Sequence, residues 1–391
     1  MKNAWCVILS IVCIIPAKGT AAEELLFVPH ELDPFVGQVC YAVTTADVNH
    51  DGRLDVVAVS ENRVQWYENP SWQKHVIVEN QLERDHVCLA AHDIDGDGRL
   101  DFALGAGWTK IGTIQWITRS GAKGPLWNVH PIHVELSTHR MSFADVLGLG
   151  RPQLIVSPLL RTTGAGVRLL VFPIPQHPAS EAWQPQVLHE GFQRMHNHTH
   201  LDYDGDGVPE TLVACQEGVW LLQRQGEKLE TKQLGRGADG VRPEDRGAGE
   251  VKVGRDPQGN VFLATIEPMH GHQAVLYFPR EDQQLPWTRV VLTEDLRQGH
   301  AVWLADLDGR PGDEVVIGHR EAGPGDVSGP GLYVFQRQSD SSTDWRRHVV
   351  DNGGCAVEDV AAADFDADGR VDLVAGGRAT HNVKIYWNRR P

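Results

Sequence analysis

One feature constrains this chain more than any other: a run of about fifteen residues recurs seven times. "ADVNHDGRLDVVAVS" at Ala46 returns as "HDIDGDGRLDFALGA" at His92, "LDYDGDGVPETLVAC" at Leu201 and "ADFDADGRVDLVAGG" at Ala363. Degenerate copies fill the gaps: "ADVLGLGRPQLIVSP" at Ala144, "VKVGRDPQGNVFLAT" at Val251 and "ADLDGRPGDEVVIGH" at Ala305, at spacings of 46 to 58 residues. Each copy is followed by a strand-like run such as "RVQWYEN" or "NVKIYWN", and six of them by a further one such as "WQKHVIV". Units of this kind bury their apolar faces only against their neighbours. Short β-rich runs with Gly and Asp turns, about four strands per unit, predict an all-β, seven-bladed propeller. The seventh copy lacks its last strand, and "LFVPHEL" (Leu26 to Leu32) resembles the missing piece. An N-terminal strand would thus complete the last blade and close the ring, leaving no open sheet edge. A linear β-solenoid is the rival architecture, but its rungs are shorter and it needs no displaced strand.

Before the repeats, a short apolar stretch (Trp5 to Ile15) lies between Lys2 and the small-residue run "PAKGTAA". Residues 1–22 therefore read as a secretory signal peptide, with residues 23–391 forming one propeller domain of a secreted or periplasmic protein. No stretch reaches the ~20 apolar residues of a membrane span. The formal charge of -16 becomes about -18 without Lys2 and Lys18. That balance speaks against nucleic acid or anionic membrane as partners, which need clustered Lys and Arg, and it suits a chain that holds divalent cations. Cys40, Cys88, Cys215 and Cys355 remain once Cys6 and Cys13 leave with the leader. They lack CxxC spacing and read as small buried residues, with one bridge left open.

Four copies carry oxygen donors at alternate positions of the turn, with a glycine at its sixth position. The sets are Asp47, Asn49, Asp51 and Asp55; Asp93, Asp95, Asp97 and Asp101; Asp202, Asp204, Asp206 and Glu210; and Asp364, Asp366, Asp368 and Asp372. Calcium takes six to eight oxygens, so a tight turn of alternating carboxylates fits it. An Asx turn that binds nothing uses the same residues; four copies in register favour about four structural Ca2+ sites. Copies three and five lack the donors, and copy six keeps Asp306, Asp308 and Asp313. The turns resemble the FG-GAP or VCBS-type repeat of integrin-like propellers, from Ala46 to Asn388. In that class the calcium turn joins the innermost strand of a blade to the second.

The resemblance allows a geometric expectation. If the turns lie on the bottom face, the start of each preceding strand lies on top. Six residues before the first ligand stand Tyr41, His139, His196, His300 and Glu358, with His86 one place off in the second copy. Where the second strand returns to the top stand Glu61, Trp108, Arg161, His270, His272, His319, Arg320, Glu321, Arg378 and His381. His196, His198 and His200 share one face of a strand, which is suited either to a metal or to a polar blade interface. "MHNHTHLDYDGDG", "GHAVWLADLDG", "VVIGHREAGPG" and "VAGGRATHNVKIYWN" look like the propeller domain of the aldos-2-ulose dehydratases. That resemblance implies dehydration of a keto-sugar with the help of metal ions; such enzymes also carry cupin domains, which it does not take in. The expectation is a lyase working through an enolate, which needs a base and positive charge at the oxygen. His139, His196 and His198 would surround an additional divalent metal in the channel or the proton transfer. His270 and His300 would supply the acid, and Arg140, Arg320 and Arg378 would hold sugar oxygens, with His319 and Glu358 in the same set. The alternative is a non-catalytic, calcium-stabilised propeller that binds glycan or protein.

Overall fold

The computed structural model describes residues 24–389, apart from 109, 120–123, 227, 324–328 and 340. The expected leader lies outside these residues. Seven four-stranded antiparallel sheets follow one another along the chain, and the last is completed by Phe27–Asp33 pairing with Val383–Asn388. The innermost strands are Cys40–Ala46, Cys88–His92, Thr138–Ala144, Met195–Leu201, Glu250–Arg255, Gly299–Ala305 and Val357–Ala363. Each touches the next around the whole circle, Val357–Ala363 lying against Cys40–Ala46. The molecule is a closed, seven-bladed propeller.

The second strand of each blade explains the packing. Asp55–Ser60, Asp101–Ala106, Gln153–Pro158, Glu210–Cys215, Glu314–His319 and Asp372–Gly377 are buried at every position. A strand covered on both faces must be apolar on both, and these read as near-continuous runs of Val, Ile, Leu and Ala. The core is accordingly divided among seven clusters, one for each junction between neighbouring blades. Cys40, Val43 and Tyr67 of the first blade pack on Ala361, Phe365, Val383 and Ile385 of the last, so closure is made by packing as well as by pairing. The four cysteines described are all buried and free.

The innermost strands carry a device that the repeat pattern did not foretell. In five of them the ladder to the second strand skips one residue: Tyr41, His139, His196, His300 and Glu358. Each is the residue six places before the turn's first acid. A β-bulge of this kind re-aims side chains beside a site. Here it sits at one end of the central channel in five blades.

The fifth copy is corrected in register. Its innermost strand runs to Arg255, so Asp256, not Lys252, opens the turn. Only residues 256–260 separate the paired Arg255 and Val261, against 47–54 between Ala46 and Asp55. The residue six before Asp256 is Glu250, which joins the same layer.

Candidate functional site

At the bottom face the turns share one construction. Asp47, Asp93, Asp202 and Asp364 accept the backbone N–H of Gly52, Gly98, Gly207 and Gly369 at 2.9–3.1 Å. Those glycines have φ of +81° to +87°, which side-chain-bearing residues rarely adopt. The last acid of each turn is buried and accepts a second N–H, from Val48 to Asp55, Ile94 to Asp101, Tyr203 to Glu210 and Phe365 to Asp372. Burial, together with neighbouring carboxylates, pushes Asp55, Asp101 and Asp372 up to about 6. Carboxylate oxygens of Asp93, Asp95 and Asp101 lie within 4.8 Å of one another, as do those of Asp202, Asp204 and Asp206 and of Asp364, Asp366 and Asp372. Hard oxygens crowded in this way fit calcium.

Copies six and seven depart from the expectation, and copy three shows what stands in for its missing donors. In copy six the third acid is Glu314, which lies within the same 4.8 Å of Asp306 and Asp308; Asp313 instead accepts the N–H of Arg255. The guanidinium of Arg310 sits on Asp308, with Nε at 2.8 Å. In copy three the amide of Gln153 takes the N–H of Leu147 and donates to Asp145 at 2.8 Å, so a neutral side chain bridges what a cation would. In copy seven Asp368 turns outward to Arg370 and Arg389, and Asp366 also meets Arg389.

At the opposite end of the channel the bulged residues face one another. His196, His270 and His300 bring ring nitrogens within 4.8 Å of one another, and the Nε2 atoms of His196 and His270 are 2.8 Å apart. His196 Nδ1 donates to the carbonyl of Gly249 at 3.0 Å, and His300 Nδ1 to that of Glu358. A carbonyl only accepts, so both Nδ1 atoms carry the proton and both Nε2 atoms of the neutral rings present lone pairs. The Nε2 of His300 is buried without a hydrogen-bond partner. Burial, reinforced by Arg140 for His196 and by Arg320 for His300, holds both imidazoles well below their usual range. They are neutral rings with fixed tautomers, the arrangement that histidine metal sites use. The three rings fit a divalent transition metal.

His270 reaches the cluster from the turn after Val261–Glu267, where its own φ is +54°. The carbonyl of Gly249 can approach because position 249 has no Cβ; one would stand 2.9 Å from Met269 Cα. Of the three rings His270 borders a cavity of about 70 Å³, whose wall also includes Tyr41, Trp108, His139, Leu159, Arg320 and Arg378. Arg320 pairs with both oxygens of Glu358, and Arg378 meets the same carboxylate at 2.9 Å. Arg140 binds Glu250 at 3.1 Å. His139 donates through Nδ1 to the carbonyl of His196 at 3.0 Å and lies outside the three-ring cluster.

Two residues expected here are elsewhere. His198 points down the channel, its nitrogens satisfied by Ser142 and Ser157 at 2.8 and 2.9 Å; the side chains at 196 and 198 stay apart because the bulge at 196 breaks the alternation. His319 packs on Tyr333 with ring centroids 4.8 Å apart and donates to the carbonyl of Glu321, off the channel. Sequence reasoning missed Glu250, Asn197 and Asp359. The shorter fifth turn hid the first, and the bulges, which bring the residue after 196 and after 358 into the channel lining, hid the others.

The fold and the turns define an FG-GAP-like seven-bladed propeller with an imidazole cluster at one end of its channel. Comparisons agree with this class: residues 47–104 match the FG-GAP-like repeat model, and residues 111–280 match that of the aldos-2-ulose dehydratase β-propeller domain. The chain is similar to the aldos-2-ulose dehydratase of Phanerodontia chrysosporium, 24% identical over 298 residues, which are 68% of this chain and 32% of that protein. The match thus takes in about a third of the relative's length.

Proposed function

We propose that this protein is an exported, metal-dependent lyase that dehydrates a keto-sugar by β-elimination at the mouth of its channel. The observation that carries this reading is the convergence of three imidazoles under a rim of guanidiniums, with the Nε2 of His300 buried and unpartnered. Similarity to a protein named for dehydrating aldos-2-uloses supports it.

A divalent ion held by His196, His270 and His300 would polarise the sugar carbonyl. The chain's own groups do the rest. His139 is locked as the Nδ1–H tautomer, so its Nε2 is the free base beside the cavity. Burial, then Arg140, holds it well below the usual imidazole range, so it is unprotonated at physiological pH. It takes the proton from the carbon next to the carbonyl and returns it to the departing hydroxyl, which leaves as water while the carbon–carbon double bond forms. Arg140, Arg320 and Arg378 hold oxygens and receive the enolate's charge. The acid role expected of His270 and His300 passes to His139, because their nitrogens face the cluster. Tyr41, Val87, Trp108 and Leu159 wall the cavity with apolar surface.

The test is to strip the protein with chelator, restore calcium alone, and then add zinc, cobalt or manganese back. Anhydrofructose and 3-keto-glycosides are offered at each stage and enone absorbance is followed. Turnover that returns only with the transition metal supports the reading. No product from any keto-sugar, alongside binding of intact glycans, favours the non-catalytic propeller.

A further inference from the structure

The imidazole cluster has a carboxylate behind it that the repeat pattern concealed. Glu250 opens the innermost strand of the fifth blade, and its side chain is 5% exposed. Its Oε1 lies 2.9 Å from Nδ1 of His196 and 3.1 Å from a guanidinium nitrogen of Arg140, and its Oε2 takes the amide of Asn197. One carboxylate therefore collects donors from the third and fourth blades while sitting on the fifth. The Nδ1–H of His196 is given to the Gly249 carbonyl, and an oxygen of this carboxylate stands 2.9 Å from the same nitrogen. The carbonyl alone would fix the tautomer. An anion beside the same nitrogen does more: its field favours positive charge on the ring and so strengthens it as a donor.

Resting on the metal reading of the three imidazoles, we infer that Glu250 is a positioning residue that sets the metal affinity of the cluster by strengthening His196 as a donor. The rival role is plainer, that of a counter-charge for the buried Arg140. The two roles separate by substitution. Glu250→Gln keeps the shape and an acceptor oxygen but removes the charge. Arg140→Met removes the group that the rival role serves.

The experiment titrates cobalt into the full-length protein in excess calcium, reading the visible d–d band, and repeats the titration against a competing chelator. Wild type, Glu250→Gln, Glu250→Asp, Arg140→Met and Arg140→Met with Glu250→Gln are compared. Loss of an outer carboxylate of this kind costs about 10–100-fold in metal affinity. Glu250→Gln is expected to bind cobalt weaker by that factor, with a shifted band, and to do so in the Arg140→Met background as well. Glu250→Asp, which keeps the charge at a longer reach, should fall between; it also decides the matter if Glu250→Gln does not fold. Unchanged affinity in either variant, or a loss that disappears with Arg140→Met, overturns the inference and leaves the metal reading standing. A wild-type protein that binds no cobalt sensitive to His300→Ala overturns both.

Discussion

His270 stands where a side chain is least at ease, at φ +54° on a turn. A residue held in the left-handed region costs free energy that the surroundings must offset, and here the offset is contact with His196 and His300. Because the ring projects from a turn and not from an apolar core, His270→Ala should remove an imidazole from the cluster without opening a hydrophobic hole. Turnover is expected to fall at least ~100-fold, the low end of what a positioned catalytic group supplies, while the melting temperature in calcium stays close to wild type. Asp204→Ala should do the reverse, lowering the melting temperature with turnover retained at saturating calcium. Calorimetry and an enone assay on both proteins check the pair; a large thermal loss in His270→Ala would refute the division of labour between the two faces.

At the scale of the element, the seven turns are one motif filled in different ways. Blades two and four crowd their carboxylate oxygens within 4.8 Å, and blades six and seven do so with guanidiniums on Asp308 and on Asp366 and Asp368. Blade three closes on an amide, and in blades one and five Asp47 and Asp256 take backbone N–H groups of their own turns. Elemental analysis should return about four calcium ions per chain. Arg310→Met should add one more, because it frees Asp308 beside Asp306 and Glu314. The same turns set a pH dependence. Asp55, Asp101 and Asp372 titrate at about 6 when folded, against ~3.9 unfolded. A raised folded pKa means that the native state binds the proton more tightly, so that contribution is present below about pH 4 and is lost as pH rises through 6. Chelated protein should therefore melt lower at pH 7 than at pH 5. Calcium should remove the decline, since it favours the ionised form; thermal scans across that range, with and without the ion, decide it.

Across the whole molecule, stability depends on a seam. The seventh blade takes its outer strand from Phe27–Asp33, and Asn388 ties the blade to its neighbour by donating to the carbonyl of Leu307 at 2.8 Å. Removing residues 24–33 should expose the edge of Val383–Asn388 and the cluster beneath it. An unpaired edge invites association, so the shortened protein should melt markedly lower and aggregate in light scattering. Retention of a monomer with unchanged melting would show that packing alone holds the ring. The joined ring also explains why the mouth is a composite. Its groups come from different blades, two of the pairs reaching across a blade between, so none of Arg140–Glu250, His196–His300 or Arg378–Tyr41 exists until those blades have assembled around the channel.

The fold was legible because repetition is local: the same turn followed by the same strands, seven times, can bury itself in few ways, and the displaced strand at Leu26 pointed to closure. The crowding of acids in copies two, four and seven was legible for the same reason, since the members of each group lie within nine residues of one another. The layer at the mouth was legible only in part. Counting back from the acids found Tyr41, His139, His196, His300 and Glu358, yet the count failed at Glu250 where the turn is three residues shorter. Strand alternation likewise grouped His198 with His196, which the bulge separates. Chain order thus determined the ring and the turns, because both are made of neighbours in sequence. Which imidazoles meet was decided by tertiary structure, because a one-residue slip in a ladder redirects a side chain and no local signal records it.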